Sequence, residues 1–255
     1  MIRPVLFRGD SLVQRSLTPN VPHRGRTFVE HALANGLMAR FGDCGYGIDI
    51  AGRGEIDLAL AHVGYDRRQP EERLADHSPM ISFSTQMDTA IGYSNRNNKD
   101  LAPCQPEEAT HFVWRFYPQL EEIQIPPGSP LPGIYSFRYL ESHVNVQTYL
   151  NEALARGLLD LAVGGKFPSS PLADHFVAKA PSAGEHVALL IHVPTVAASR
   201  LVEGKDERLV ANARERGSRD DEWLVYPCDL LSGGGMDARL KMNAHLFLHA
   251  CMKSA

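Results

Sequence analysis

Nowhere in this chain does an apolar run approach the ~18–20 residues that a helix needs to cross a bilayer. The N-terminal stretch MIRPVLFRGD has neither an apolar signal core nor a small-residue cleavage site. No cleaved signal is therefore expected, which places the protein in the cytoplasm or has it delivered into a target cell by a signal-independent route, with no membrane partner. Cysteine is scarce. Cys44, Cys104, Cys228 and Cys251 lie far apart and form no CxxC pair. A disulfide framework or a zinc knuckle is thereby disfavoured, and four reduced thiols are expected. An excess of positive charge is missing too. Twenty-six Lys and Arg face thirty Asp and Glu, for a net charge of −4, which argues against a dedicated nucleic-acid binder.

Several common chemical motifs are also absent. No GxGxxG follows the first apolar stretch, so a dinucleotide fold of the Rossmann kind has no support. Gly164-Gly165-Lys166 lacks the spacing of a phosphate loop, and Gly233-Gly234-Gly235 reads as a flexible loop. His245 and His249 are four apart, as zinc ligands on a helix can be, but Leu-Phe-Leu separates them and no glutamate follows the first. No metal is expected.

What is present is an average globular composition, 44% apolar and 22% charged over 255 residues. Residues 4–8, 79–85, 111–117, 134–140 and 187–193, and the stretch from Glu222, read as strands rich in β-branched and aromatic residues. Residues 27–41 have helical spacing with Thr27 as cap, and 144–163 form an amphipathic helical pattern. MDTAIGYS, residues 87–94, opens a helix for which Asp88 is the expected cap. Residues 42–54 and 95–108 read as loops, and residues 236–252 fit helix and strand equally. Strands do not alternate strictly with helices, so the expected class is mixed α+β. No repeat or linker divides the chain, so one domain over 1–255 is expected, with 141–184 as a helical insertion.

Three pieces carry chemistry. In VLFRGDS, an apolar strand runs straight into Arg8 and Gly9. An arginine at the tip of a buried strand either reaches water or grips an anion. In ISFSTQMDTAIGYS, Ser82, Ser84 and Thr85 stand in an otherwise apolar strand, followed by a helix carrying Tyr93. In DDEWLVYP, Asp220 and Asp221 lead into Glu222 and a third strand.

In this order the pieces resemble the ADP-ribosyltransferase superfamily, in the arginine–serine–glutamate branch of cholera-toxin-like bacterial toxins and effectors. The resemblance implies a split β-sandwich core with flanking helices and NAD as substrate, without a metal. It implies that Arg8 binds the pyrophosphate, which suits its fork of charged donors. Gly9 would let the backbone approach the nicotinamide amide. Ser84 would hold the glutamate and the nicotinamide ribose in position, and Thr85 would join it in binding the cofactor. Glu222 would stabilise an oxocarbenium-like transition state as nicotinamide leaves. Tyr93 and Phe7 would stack on the nicotinamide ring and His77 would line the cleft, whereas Asp10 and Ser11, apart from the resemblance, read as no more than caps of the turn after the strand. Asp220 would help select the acceptor, expected to be a protein. An immunity protein or a host activator is a further partner class that the resemblance brings.

Departures from the family pattern stand beside it. Asp220 replaces the usual Glu or Gln, and Gln86 occupies a position where serine is common. Residues 203–219, where a target-recognition loop belongs, contain no aromatic. Glu55 and Glu141 are rival glutamates without the strand context of Glu222. An NAD glycohydrolase on the same fold, and an inactive NAD- or protein-binding module, remain alternative readings.

Overall fold

The computed structural model describes residues 2–11, 37–38, 55–64, 80–105, 108–118, 120–125, 129–140, 185–226, 239–240 and 246–255. Helices and antiparallel strands are mixed, an α+β architecture. In chain order the elements begin with β1 (Leu6–Ser11), β2 (Leu37–Met38), α1 (Glu55–Gly64), β3 (Ile81–Ser84) and α2 (Met87–Ser94). The strands β4 (Leu101–Pro103), β5 (His111–Phe116), β6 (Leu120–Ile125), β7 (Ser129–Leu140) and β8 (Glu185–His192) follow. Then come α3 (Val193–Ala197), α4 (Glu207–Asp220), β9 (Glu222–Tyr226), β10 (Arg239–Leu240) and β11 (Leu246–Ser254).

Nine strands form one sheet in the order β4-β11-β5-β1-β3-β9-β8-β7-β6, and each neighbouring pair is antiparallel. The sheet curls strongly. Strands β5 and β7 are five places apart, roughly 24 Å in a flat sheet. Yet the rings of Phe116 on β5 and Phe137 on β7 are 5.5 Å apart, and Phe83 on β3 lies 5.2 Å from Phe116. Ile2, just ahead of β1, even bridges to Leu120 on β6. The face carrying Phe83, Phe116 and Phe137 is therefore the concave one.

Strand alternation then assigns every neighbour to a face. Arg8 pairs with Trp114, and Phe83 with Trp223, which pairs in turn with His192. These residues lie on the concave side. Phe7, Ser84 and Glu222 stand opposite one another on the convex side. Helices cover that side. Leu58, Leu60 and Val63 of α1 pack with Val193 and Val196 of α3 and Ala213 of α4 over Ile134, Ile191 and Leu224. Helix α2 covers the other half, with Ala90 against Val113, Ala250 and Met252.

The sequence accounts for these helices locally. In α4, Asp206 caps the start by accepting from the amides of Arg208 and Leu209. Leu209, Val210, Ala213 and Gly217 then place one small-to-medium face toward α1 and α3. The helix ends where Asp221 enters the left-handed region at φ 43°.

Several sequence expectations need correction. Leu37 and Met38, expected inside a helix over 27–41, pair as β2 with β10; Asn35-Gly36 just before them is a poor helix interior. Asp88 sits in the first turn of α2, and the cap position belongs to Gln86, whose amide donates to the Ser84 hydroxyl. The loop expected over 95–108 contains β4, and the target-loop stretch 203–219 is mostly α4. Residues 239–240 and 246–254 are strand. The expected insertion at 141–184, the glycine loop at 42–54, His77 and Glu141 lie outside the described residues.

Candidate active site

The candidate residues gather where β3 ends and β9 begins. Antiparallel pairing sets Ser84 opposite Glu222 and Ser82 opposite Leu224. Ser82 and Ser84 thus share the face of Glu222, two residues apart. Ser82 hydrogen-bonds the Glu222 carboxyl, and its hydroxyl also lies 2.8 Å from His62 Nε2 at the end of α1. A serine hydroxyl has one proton. Donated to the carboxylate, it leaves the oxygen to accept from the His62 N–H.

Glu222 retains some exposed surface, but its carboxyl is enclosed. Burial pushes its pKa up to about 7, with the Asp220 charge adding to the rise. Hydrogen bonding from Ser82 and the Arg219 charge oppose it without cancelling it. A carboxyl poised near neutrality in a polar cluster suits a group that must gain or hold charge during a reaction.

Ser84 behaves differently from the expectation that it holds the glutamate. Its hydroxyl donates to the Asp220 carbonyl at 2.5 Å and accepts from the Gln86 amide at 2.9 Å. It ties the α4–β9 corner to the start of α2. Asp220 is buried, and its carboxylate accepts from Tyr93 at 2.6 Å and from Arg219 at 2.8 and 2.9 Å. Burial alone would raise the Asp220 pKa, but the Arg219 and Tyr93 hydrogen bonds outweigh it and hold the group below the usual range. The Tyr93 phenol is driven well above its ordinary range by burial, then by its bond to Asp220.

Arg8 stands apart from Ser84 and Glu222, on the concave side. Its Nε and Nη2 grip the Asp10 carboxylate at 3.0 and 2.9 Å. Its Nη1 donates to the Ser82 carbonyl at 3.2 Å. Ser82 is therefore the link, holding Arg8 through its backbone and Glu222 through its side chain. Gly9 does not face an open cleft. A Cβ there would lie 1.8 Å from the Ala90 carbonyl oxygen, so its bare α-carbon serves the packing of α2. Phe7 packs its ring against His249 at 5.7 Å, and Ser11 donates to the Thr110 carbonyl.

A second polar chain runs along the ends of β3, β8 and β9. Thr85 donates to the Asp221 carboxylate. The other oxygen of Asp221 lies 2.9 Å from His192 Nε2, and His192 Nδ1 lies 2.7 Å from the Thr195 hydroxyl. The imidazole stacks on Trp223 at 4.4 Å. Burial would raise the Asp221 pKa, but hydrogen bonds from Thr85 and His192 hold it below the usual range.

Sequence reasoning missed His62, Asp221, His192 and Thr195 as site residues. The available signals were the two-residue spacing of Ser82 and Ser84, and a lone histidine near the end of the apolar run VALLIHV. Among the described residues no helix is long and apolar enough to cross a membrane, and no group of His, Cys, Asp and Glu could hold a metal ion. Comparison with known protein families, with curated proteins and with solved structures gives no match.

Proposed function

We propose that this chain is an NAD-dependent mono-ADP-ribosyltransferase of the arginine–serine–glutamate kind, a toxin or effector that modifies a macromolecular acceptor, most simply a protein. The curled antiparallel sheet with helices on its convex side fits a split β-sandwich core. The observation that carries the reading is the enclosed Glu222 carboxyl at the start of β9, poised at about 7 and hydrogen-bonded to Ser82, whose carbonyl holds Arg8.

In this reading, ionised Glu222 accepts from the ribose 2′-hydroxyl and stabilises positive charge developing on the sugar. The C1′–N bond breaks and its electron pair leaves with nicotinamide, now neutral. The acceptor nucleophile attacks C1′, forming the new glycosidic bond, and gives up its proton to solvent water. Arg8 would exchange Asp10 for the pyrophosphate, which the same fork of donors can hold bidentately. Tyr93, exposed at the Asp220 corner, supplies an aromatic face for the leaving ring.

The occupied fork of Arg8 and its place on the opposite face from Glu222 favour one competing reading, a binding module that does not turn over NAD. Nicotinamide release by wild type and by Glu222→Gln, with and without cell lysate, separates them. The transferase reading expects release that depends on Glu222 and rises with lysate. Equal release with and without lysate would point to a glycohydrolase. No release together with no NAD binding in a titration would sink the enzyme.

A further inference from the structure

The backbone just ahead of Glu222 adopts an unusual conformation. Asp221 sits at φ 43°, ψ 58°, left-handed for a residue that carries a Cβ. A left-handed residue after a helix is ordinary when it is glycine, and a plain helix stop would be met at least as well by glycine. Asp221 instead has a side chain gripped at both oxygens. Thr85, just beyond β3, donates to one oxygen, and His192, at the end of β8, meets the other at 2.9 Å. His192 is fixed in turn by Thr195 at 2.7 Å and by its stack on Trp223. The ends of β3, β8 and β9 are thus tied at one carboxylate, one residue from Glu222.

We propose that Asp221 is a positioning residue that holds the start of β9, and through it the Glu222 carboxyl, by the chain Thr85–Asp221–His192–Thr195. The inference rests on the proposed function only for its kinetic readout. The Asp221 carboxylate meets His192, which stands on the face opposite Glu222, so it acts through the backbone and need not touch the reacting atoms. Left-handed geometry and the carboxylate clamp are separable. Asp221→Gly keeps the first and removes the second. Asp221→Asn keeps the tolerance for that geometry and one acceptor oxygen.

The test combines thermal unfolding, NAD cleavage kinetics and an NMR titration of the Glu222 carboxyl carbon in wild type, Asp221→Gly and Asp221→Asn. We expect Asp221→Gly to unfold at the wild-type temperature or above, yet to lose at least tenfold in kcat with KM for NAD within twofold. Its Glu222 titration should fall from about 7 toward the ordinary carboxylate range as the carboxyl gains access to water. Asp221→Asn should restore kcat to within threefold of wild type. Wild-type kcat and an unmoved Glu222 titration in Asp221→Gly would reduce Asp221 to a helix stop and overturn the proposal. Asp221→Asn as inactive as Asp221→Gly would overturn it in favour of a carboxylate acting on substrate directly. If wild type does not cleave NAD, the functional reading fails. The clamp is then decided by the Glu222 titration alone, moved in Asp221→Gly or not.

Discussion

Ser84 and Glu222 stand directly opposite each other on β3 and β9, yet the Ser84 hydroxyl turns to the Asp220 carbonyl, and Ser82 bonds the glutamate. The two serines therefore do different work. Ser82→Ala removes a hydrogen bond that favours ionised Glu222, so its pKa rises above about 7 and less of it is charged at neutral pH. Nicotinamide release should drop several-fold at pH 7 and recover toward pH 9. Ser84→Ala leaves a buried carbonyl and the Gln86 amide without their partner and should cost about 1–3 kcal/mol of stability. Matching pH–rate profiles for the wild type and Ser82→Ala would refute the assignment.

The raised Glu222 pKa sets activity and stability against each other. Activity needs the ionised form, so release should climb as pH passes through about 7. Stability runs the other way. The unfolded chain loses this proton near the ordinary glutamate pKa while the folded chain keeps it until about 7. The favourable contribution is thus complete below the unfolded value and is lost as pH rises through the folded one, by up to about 3 kcal/mol. Glu222→Gln should abolish release and, at pH 8, unfold at higher urea than wild type, with the gap closing by pH 4. An equal gap at both pH values would show that the carboxyl is not buried as described.

Strands were legible because their residues alternate or run apolar. LFRGDS, ISFS, HFVWRF, EHVALLIH and EWLVY all fall on strands expected from composition. Helix α4 was not, because ERLVANARERGSRD has only a narrow apolar face and reads as a solvated charged stretch. Its signal was Asp206 as cap ahead of Leu209, Val210 and Ala213 at helical spacing. The site was legible in its order along the chain but not in its faces. Whether Arg8 and Glu222 share a side depends on the register of two strand pairings, Phe7 with Ser84 and Ser84 with Glu222. Register is a tertiary property, and a one-residue slip reverses every side chain. His62 could not have been found at all, since its role arises only where α1 crosses β3.

Gly9 and Gly92 offer a paired test of the α2 packing. A Cβ on Gly9 would meet the Ala90 carbonyl oxygen at 1.8 Å and the Ser94 amide at 2.8 Å, both backbone atoms that move only with the helix. Gly9→Ala should destabilise by ~3 kcal/mol, the upper end of usual overpacking costs. Gly92 lies in the same helix with nothing within 4 Å of its position. Gly92→Ala should stabilise by roughly 0.5–1 kcal/mol through helix propensity. Urea melts of the two variants check this, and a neutral Gly9→Ala would mean that α2 is not seated on β1.

Asp220 and Ser82 act on Glu222 with opposite sign, so their variants should move its titration in opposite directions. The Asp220 charge raises the Glu222 pKa, and Asp220→Asn removes that charge while keeping the side chain's size. The acid limb of nicotinamide release should then shift below that of wild type, where Ser82→Ala shifts it above. Asp220 itself depends on Tyr93, whose hydroxyl donates to it at 2.6 Å. Tyr93→Phe leaves the carboxylate with Arg219 alone and should cost about 1 kcal/mol at pH 7. A carboxylate with a depressed pKa contributes stability above its unfolded value and loses it as pH falls through the folded one. The difference between Tyr93→Phe and wild type should therefore shrink below pH ~4. Urea unfolding at pH 7 and pH 3 measures it. A penalty unchanged at pH 3 would assign the loss to packing of the ring rather than to the charged bond.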